Sequence, residues 1–240
     1  MPKYIEIAKQ LKAQIMRGDY AASEPLPDQV SLAAYYKTSR VTIQKVIQLL
    51  NNEGLTYSRQ GSGTYVKNNV NLFSQYDASV DQYVGTSQLM HDHQVQSQVL
   101  DYTVRLADPV EQEKLNLVFS DAVYDFYRLR IIDGKPWKIE HTIMPVKVVP
   151  GLTEGVLHHS IYRYIKTELN ETIGAAYRII RAAKPNHYDR EFLSATATTP
   201  MLEIEQIVSL GDGTPFEYSH SRNRYDEGAI VVYHPERPML

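Results

Sequence analysis

The chain has no cysteine, which excludes disulfides, cysteine-ligated zinc and a thiol nucleophile. It has no apolar run near the roughly 18 residues that span a bilayer, and its start, Met1-Pro2-Lys3-Tyr4-Ile5-Glu6, lacks the apolar core of a signal peptide. No nucleophile elbow, phosphate-binding P-loop or GxGxxG stretch is present, so catalysis has no motif behind it. His91-Asp92-His93 and His158-His159 are too unspecific in spacing to define a metal site. The expectation is a soluble, cytoplasmic protein with no metal, no cofactor and no membrane partner.

The chain also lacks the overall positive charge of many nucleic-acid binders, since its 240 residues carry a net charge of −3. The distribution is more telling than the sum. Residues 1–68 hold nine Lys and Arg against five Asp and Glu, whereas residues 69–240 hold sixteen against twenty-three. A basic part suits phosphate contact, and an acidic remainder repels nucleic acid. A length of 240 residues with 43% hydrophobic content fits a small domain followed by a larger one.

In the basic part, Ile5, Ala8, Leu11 and Ile15 recur at helical spacing over 4–17, and Gly18 is a natural stop. Asp28 is placed to cap a short second helix with Val30, Leu32 and Ala33 on it. Ser39 is placed to cap a third, whose Ile43, Val46, Ile47 and Leu50 form a buried stripe. That leaves Arg40, Thr42, Gln44 and Lys45 on its N-terminal end and outer face, where phosphates and base edges would be met. Strands over 55–59 and 64–66 follow, joined by Gln60-Gly61-Ser62-Gly63, whose glycines allow positive φ and close approach to another molecule. Helix, turn, helix and glycine-tipped hairpin form the plan of a DNA-reading module, although the same parts could also build a protein-docking unit with solvated charges.

The ordered run Leu26-Pro27, Ser39-Arg40-Val41-Thr42-Ile43-Gln44, Glu53-Gly54-Leu55 and Gly61-Ser62-Gly63-Thr64-Tyr65-Val66 closely resembles the winged helix-turn-helix of GntR-type bacterial repressors. The resemblance implies DNA contacts from Lys37, Ser39, Arg40, Thr42, Gln44, Lys45 and Arg59, with Gly61, Ser62, Gly63 and Thr64 near the minor groove. Three places depart from the family pattern. Gln44 stands where Arg is usual, Val30 where a basic residue is frequent, and Asp28-Gln29 replace Ser-Glu. Gln pairs bidentately with adenine where Arg favours guanine, so a changed operator is expected.

Asn68-Asn69-Val70-Asn71 carries no period and reads as a boundary. We divide the chain into residues 1–68, a linker over 69–76, and a second domain over 77–240. Strands are expected over 101–106, 124–132, 137–144, 177–183, 201–210, 215–222 and 229–233, with helices over 109–117, 160–169 and 188–195. That is an α+β domain with an antiparallel sheet. On one strand face Tyr124, Phe126, Arg128 and Arg130 lie together. Neighbouring guanidiniums suit a phosphate or carboxylate, and Ser160 at a helix start adds donors for the same anion. The competing reading is that Arg128 and Arg130 pair with Glu140, Glu203 or Glu217 and that Ser160 is only a cap.

Tyr127-Arg128-Leu129-Arg130 with Asp133-Gly134-Lys135-Pro136, Ser160-Ile161-Tyr162, and Pro215-Phe216-Glu217-Tyr218-Ser219 followed by Ser221-Arg222-Asn223-Arg224 resemble the UTRA ligand-sensing domain of the HutC branch of that family. The resemblance implies a chorismate-lyase-like fold and an effector pocket containing Ser87, Arg128, Arg130, Glu140, Ser160, Tyr162, Glu217 and Arg224. Its wording is most similar to regulators of phosphorylated disaccharides such as trehalose 6-phosphate. Gly85 and Gly228 depart from it, where a serine donor and a ligand-reaching tyrosine are common. Strand parity sets a condition on Glu140. A two-residue turn at Asp133-Gly134 puts it opposite Arg128 and Arg130 unless a bulge intervenes.

The resulting expectation is a homodimeric transcription regulator of repressor type that binds double-stranded DNA at a palindromic operator and responds to a small anionic effector, a sugar phosphate foremost. Two alternatives stay open: an enzyme of lyase-like fold acting on a small anionic substrate, and a DNA-binding protein with no effector.

Overall fold

The structure is a computed structural model that describes residues 2–68 and 93–230. The chain divides into two compact units. The linker over 69–76, Gly85, Ser87, His91 and Asp92 lie outside the described residues, as do residues 231–233 of the expected last strand; Ala229 and Ile230 are not in a strand.

In the first unit, helices α1 (Lys3–Arg17), α2 (Gln29–Tyr35) and α3 (Arg40–Asn52) precede strands β1 (Thr56–Arg59) and β2 (Gly63–Val66). Gly18 ends α1 in the left-handed region at φ 84°, and its amide donates to helix carbonyls of the last turn. The core of this unit joins Ile7, Ala8, Leu11 and Ile15 of α1 to Leu32 of α2, to Ile43, Val46, Ile47 and Leu50 of α3, and to Leu55 and Val66 of the hairpin. One expected core residue is displaced. Ile5 is only half-buried and Ile7 takes its place, while Val30 is 64% exposed. Residue spacing alone leaves the centre of a helix's buried stripe uncertain by about one position.

The hairpin is tied down on two sides. Asn51 at the end of α3 accepts from the Thr56 hydroxyl at 2.6 Å and donates to Ser58 at 3.1 Å. The segment before α2 runs beside β2, with a bridge between Pro25 and Tyr65.

The second unit is built on a six-stranded antiparallel sheet in the order β3-β4-β5-β8-β7-β6. The elements are β3 (Val95–Leu106), α4 (Pro109–Leu115), β4 (Ala122–Ile132), β5 (Lys135–Pro145), α5 (Glu154–Leu157), α6 (Ile161–Thr167), β6 (Ile173–Ala183), α7 (His187–Phe192), β7 (Met201–Leu210) and β8 (Pro215–Arg224). This is the expected α+β architecture, with β3 and β6 longer than the sequence suggested and α5 not foreseen.

Each face of the sheet has its own cover. Leu157 of α5 with Ile161 and Ile165 of α6 pack with Val149 and Leu152 against Tyr124, Phe126 and Met144 on one face. On the other, Tyr188 of α7 stacks on Tyr127 at 4.1 Å between ring centroids. Arg222 holds α7 there by donating to Asp189, which is fully buried, and to Glu203. Among the described residues no helix is long and apolar enough to cross a membrane.

Candidate functional site

In the first unit, two caps set the angle at which α3 is presented. The Asp28 carboxylate accepts from the amides of Val30 and Ser31 at 2.8 and 3.0 Å and from the Ser31 hydroxyl. The bonds from Ser31 and Val30 hold that carboxyl below its ordinary value. Ser39 accepts from the Thr42 amide at 3.2 Å, and the two hydroxyls lie 2.9 Å apart. Lys37 makes the turn between the helices with φ 47°, and its carbonyl accepts from the Lys3 ammonium at 2.7 Å.

Arg40, Gln44 and Lys45 are left exposed. Arg40 leans toward α2, where its Nε donates to Gln29 at 3.3 Å, and the Lys45 ammonium lies 5.7 Å from the centre of the Tyr4 ring. At the hairpin, Gly61 at φ 74° and Gly63 at φ 121° adopt conformations that favour glycine. The Arg59 guanidinium sits over the stacked rings of Tyr57 and Tyr65, at 5.4 and 5.6 Å. The Ser62 hydroxyl bonds the Tyr65 phenol at 2.6 Å.

Two of the residues expected at the DNA have engaged hydroxyls. Thr64 is 8% exposed and its hydroxyl bonds Ser58, because its strand position points inward as Val66 does. Thr42 is half-buried and its hydroxyl belongs to the Ser39 cap. Neither hydroxyl is presented outward as Arg40 and Gln44 are.

In the second unit, Arg128 pairs across strands with Glu140, and Arg130 with Lys138. The turn at Asp133-Gly134 is short, but the register shifts between Arg130 and Ile131, which leaves Trp137 as an extra residue. That bulge meets the parity condition and keeps Glu140 on the arginine face. Arg128 donates to Glu140 at 2.8 Å, Lys138 to the other oxygen of Glu140 at 3.0 Å, and the Arg130 Nε lies 3.9 Å from the carboxylate. Arg128, Arg130, Lys138 and Glu140 are 7%, 2%, 9% and 8% exposed.

Burial on its own would raise the Glu140 carboxyl. The charges of Lys138, Arg130 and Arg128 overturn that and hold it well below the usual carboxylate range. Burial lowers the Lys138 and Arg130 groups, and Glu140 opposes it.

A loop closes over this row. The second terminal nitrogen of Arg128 donates to the carbonyls of Leu157 and His159 at 3.2 and 3.4 Å, next to Ser160, and Arg130 donates to the Ser97 hydroxyl at 2.5 Å. Further along the same face, buried Glu217 accepts from Gln206 and Ser219, both at 2.6 Å. The face therefore carries a cationic end and an end of amide, hydroxyl and carboxylate groups. Tyr162 is half-buried against Phe216 at 6.0 Å. The Ser160 hydroxyl accepts from the Arg163 amide at 3.3 Å as a cap, while Glu203 pairs with Arg222 and Arg181.

Arg224 does not join this face. It pairs with Asp226 and reaches the Leu193 carbonyl beside α7, because residues 217 and 224 of one strand differ in parity. Lys138 and Ser97 take their places in the row without having been expected. Lys138 was visible as the residue two before Glu140 on the same strand. Ser97 was not, because the expected strand began at 101 and an irregularity between Val99 and Asp101 breaks the alternation that would have extended it. At Gly228 an added Cβ would lie 2.9 Å from the Cβ of Asn223, so a tyrosine there requires Asn223 to move. His158 Nδ1 lies 3.1 Å from the Ser97 carbonyl, and His93 pairs with Asp133 at 2.6 Å.

Both units match known families. Residues 3–66 match the bacterial regulatory proteins of the gntR family, and residues 91–227 match the UTRA domain. The HTH-type transcriptional regulator GmuR of Bacillus subtilis is 34% identical over 96% of this chain and 98% of its own. MngR of Escherichia coli, the mannosyl-D-glycerate transport/metabolism system repressor, is 32% identical over 94% and 93%. The crystal structure of a possible transcriptional regulator, YydK from Bacillus subtilis, superposes with a TM-score of 0.79 at 29% identity, covering 98% of this chain and 100% of that one. A DNA-reading helix pair, a glycine-tipped wing and an antiparallel sheet matched as a UTRA domain are all present in order, and the chain belongs to the gntR family of bacterial transcriptional regulators, in its HutC/UTRA type.

Proposed function

We propose that this DNA-binding transcriptional regulator is a repressor of carbohydrate uptake or metabolism genes, released from its operator by a small anionic effector, a sugar phosphate foremost. The observation that carries the effector reading is the excess of positive charge beneath the 157–160 loop, where three buried cations, Arg128, Arg130 and Lys138, share the single carboxylate of Glu140. Forked guanidiniums in a site shielded from water bind a phosphate or carboxylate far better than exposed ones do. The neighbouring Gln206, Ser219 and Glu217 offer hydrogen bonds of the kind sugar hydroxyls take. A relative that represses a mannosyl-D-glycerate system supports sugar chemistry.

In this reading residues 1–68 hold the DNA, 69–76 connect, and 77–240 sense the effector. Lys37, Ser39, Arg40, Gln44, Lys45, Arg59 and the Gly61-Ser62-Gly63 tip face the duplex, with Arg128, Arg130, Lys138, Glu140, Ser160, Tyr162 and Glu217 around the effector. A homodimer on a palindromic operator follows from the way helix-turn-helix proteins read two half-sites. Effector and DNA are then coupled by the difference in effector affinity between the two states, about 1–3 kcal/mol in typical cases.

The test is a thermal-shift screen of sugar phosphates, inorganic phosphate and small carboxylates on the full chain, repeated with operator DNA. A sugar phosphate at about 100 times its dissociation constant stabilises the free protein by about 2.7 kcal/mol and weakens the DNA complex. Absence of any shift from the phosphorylated sugars, or a shift that leaves DNA affinity untouched, refutes the effector reading.

A further inference from the structure

The outward face of α3 carries a residue, Val41, that neither the charges nor the family pattern singled out. With Ile43, Val46, Ile47 and Leu50 buried, the middle of the opposite face falls on Val41, flanked by Gln44, Lys45 and Gln48 at the spacing of three, four and seven residues. Val41 is 63% exposed in the first turn. Among the described residues neither Gln44 nor Gln48 is held by a hydrogen bond. Arg40 lies to one side, drawn toward Gln29 on α2, and Lys45 leans to the other, over Tyr4. This stripe thus offers a branched apolar side chain and two unengaged amides, with Arg40 at one margin and the Lys45 ammonium drawn aside over Tyr4.

Each group has a match on a base edge. An apolar side chain facing the major groove finds the thymine 5-methyl as its partner, and a glutamine amide finds the N6 and N7 of adenine. Three residues of helix advance about 4.5 Å, close to the roughly 3.4 Å between stacked bases, so Val41 and Gln44 meet neighbouring base pairs. We infer that Val41 is a specificity-determining residue that seats against a thymine methyl, and that Gln44 reads an adenine on the adjacent pair, with Gln48 continuing the stripe. The operator half-site accordingly holds a thymine next to an adenine. This rests on α3 being the DNA-reading helix and names what it reads.

The experiment takes duplexes enriched from a random pool by the full-length protein and replaces thymines one at a time by deoxyuridine, which lacks only the methyl. The wild type is expected to lose about fourfold in affinity at one position per half-site, the worth of one buried methyl group. That position should lie beside an adenine at which Gln44→Ala relaxes preference. Val41→Ala, a change at an exposed position that leaves the core intact, should bind the methylated and unmethylated duplexes alike. Equal sensitivity to deoxyuridine in the wild type and Val41→Ala overturns the role of Val41 while leaving DNA reading by α3 intact. Failure to enrich any sequence overturns both.

Discussion

The two units hold their cations in opposite ways. In the first, Arg40, Lys45 and Arg59 stand exposed on a helix face and a hairpin tip, anchored by little more than Gln29 and three tyrosine rings. In the second, Arg128, Arg130 and Lys138 are buried side by side on a sheet and share one carboxylate. Exposed charges feel a long polyanion through salt solution, and their individual attraction is weak and screened. Buried charges have lost most of their water, so they are costly to keep together and strong toward an anion of the right size. On the proposed reading, the same residue types serve a long ligand read by position in one unit and a small ligand held by enclosure in the other.

The largest effect expected from this difference is at Glu140. Glu140→Gln leaves three buried cations without their shared carboxylate and should cost about 3–5 kcal/mol at pH 7, read as a lowered denaturant midpoint of the second unit. The carboxyl is held below its unfolded value of about 4.3, so its contribution is fully present above that pH and is lost as the pH falls toward the lower folded value. The gap between wild type and Glu140→Gln should accordingly narrow below about pH 4. A gap that is small at pH 7, or that does not change on acidification, would mean that Glu140 is not the charge that holds the row together.

Next in size is Arg128→Lys, which keeps the charge and removes the fork that reaches both Glu140 and the 157–160 loop. We expect effector affinity to fall about tenfold or more, with DNA affinity in the absence of effector changed by less than about twofold. Calorimetric titration with the effector and a DNA-binding assay separate the two. Loss of DNA affinity together with effector affinity would show that the cationic row is not confined to effector sensing.

Much of this contrast was legible in the sequence, and the misses have physical reasons. The caps at Asp28 and Ser39, the stop at Gly18 and the buried stripe of α3 are local properties, set within a turn or two of chain. Strand faces are not local in that sense. One extra residue at Trp137 decides whether Glu140 faces the arginines, and no residue type announces a bulge of that kind. Arg224 lies two residues past the expected strand over 215–222, so its parity against Glu217 on β8 appears only once the strand is seen to run to Arg224. At Thr64 the wing motif marks the residue without saying that its hydroxyl turns inward to Ser58. Val41 carries no charge or motif to mark it, and its position at the centre of an exposed face emerges only from the burial of its neighbours.

Two smaller effects sharpen the exposed side of the comparison. Ser39→Ala removes the α3 cap that also orders Thr42, and should destabilise the first unit by about 1 kcal/mol without altering the second, as followed by the melting of each unit. The smallest effect is in the salt dependence. Gln44→Arg adds one cation to the exposed face, so the plot of log affinity for DNA against log salt should steepen by about one unit, with preference moving from adenine toward guanine. Over a doubling of salt that extra slope amounts to only about a twofold change, which calls for a titration across a tenfold range. The effector titrated over the same range should show a much shallower slope than DNA does, because enclosed charges are screened less than exposed ones. If effector binding were as steep as DNA binding, the cationic row would be open to solvent, and the distinction between reading by position and holding by enclosure would fail at its root.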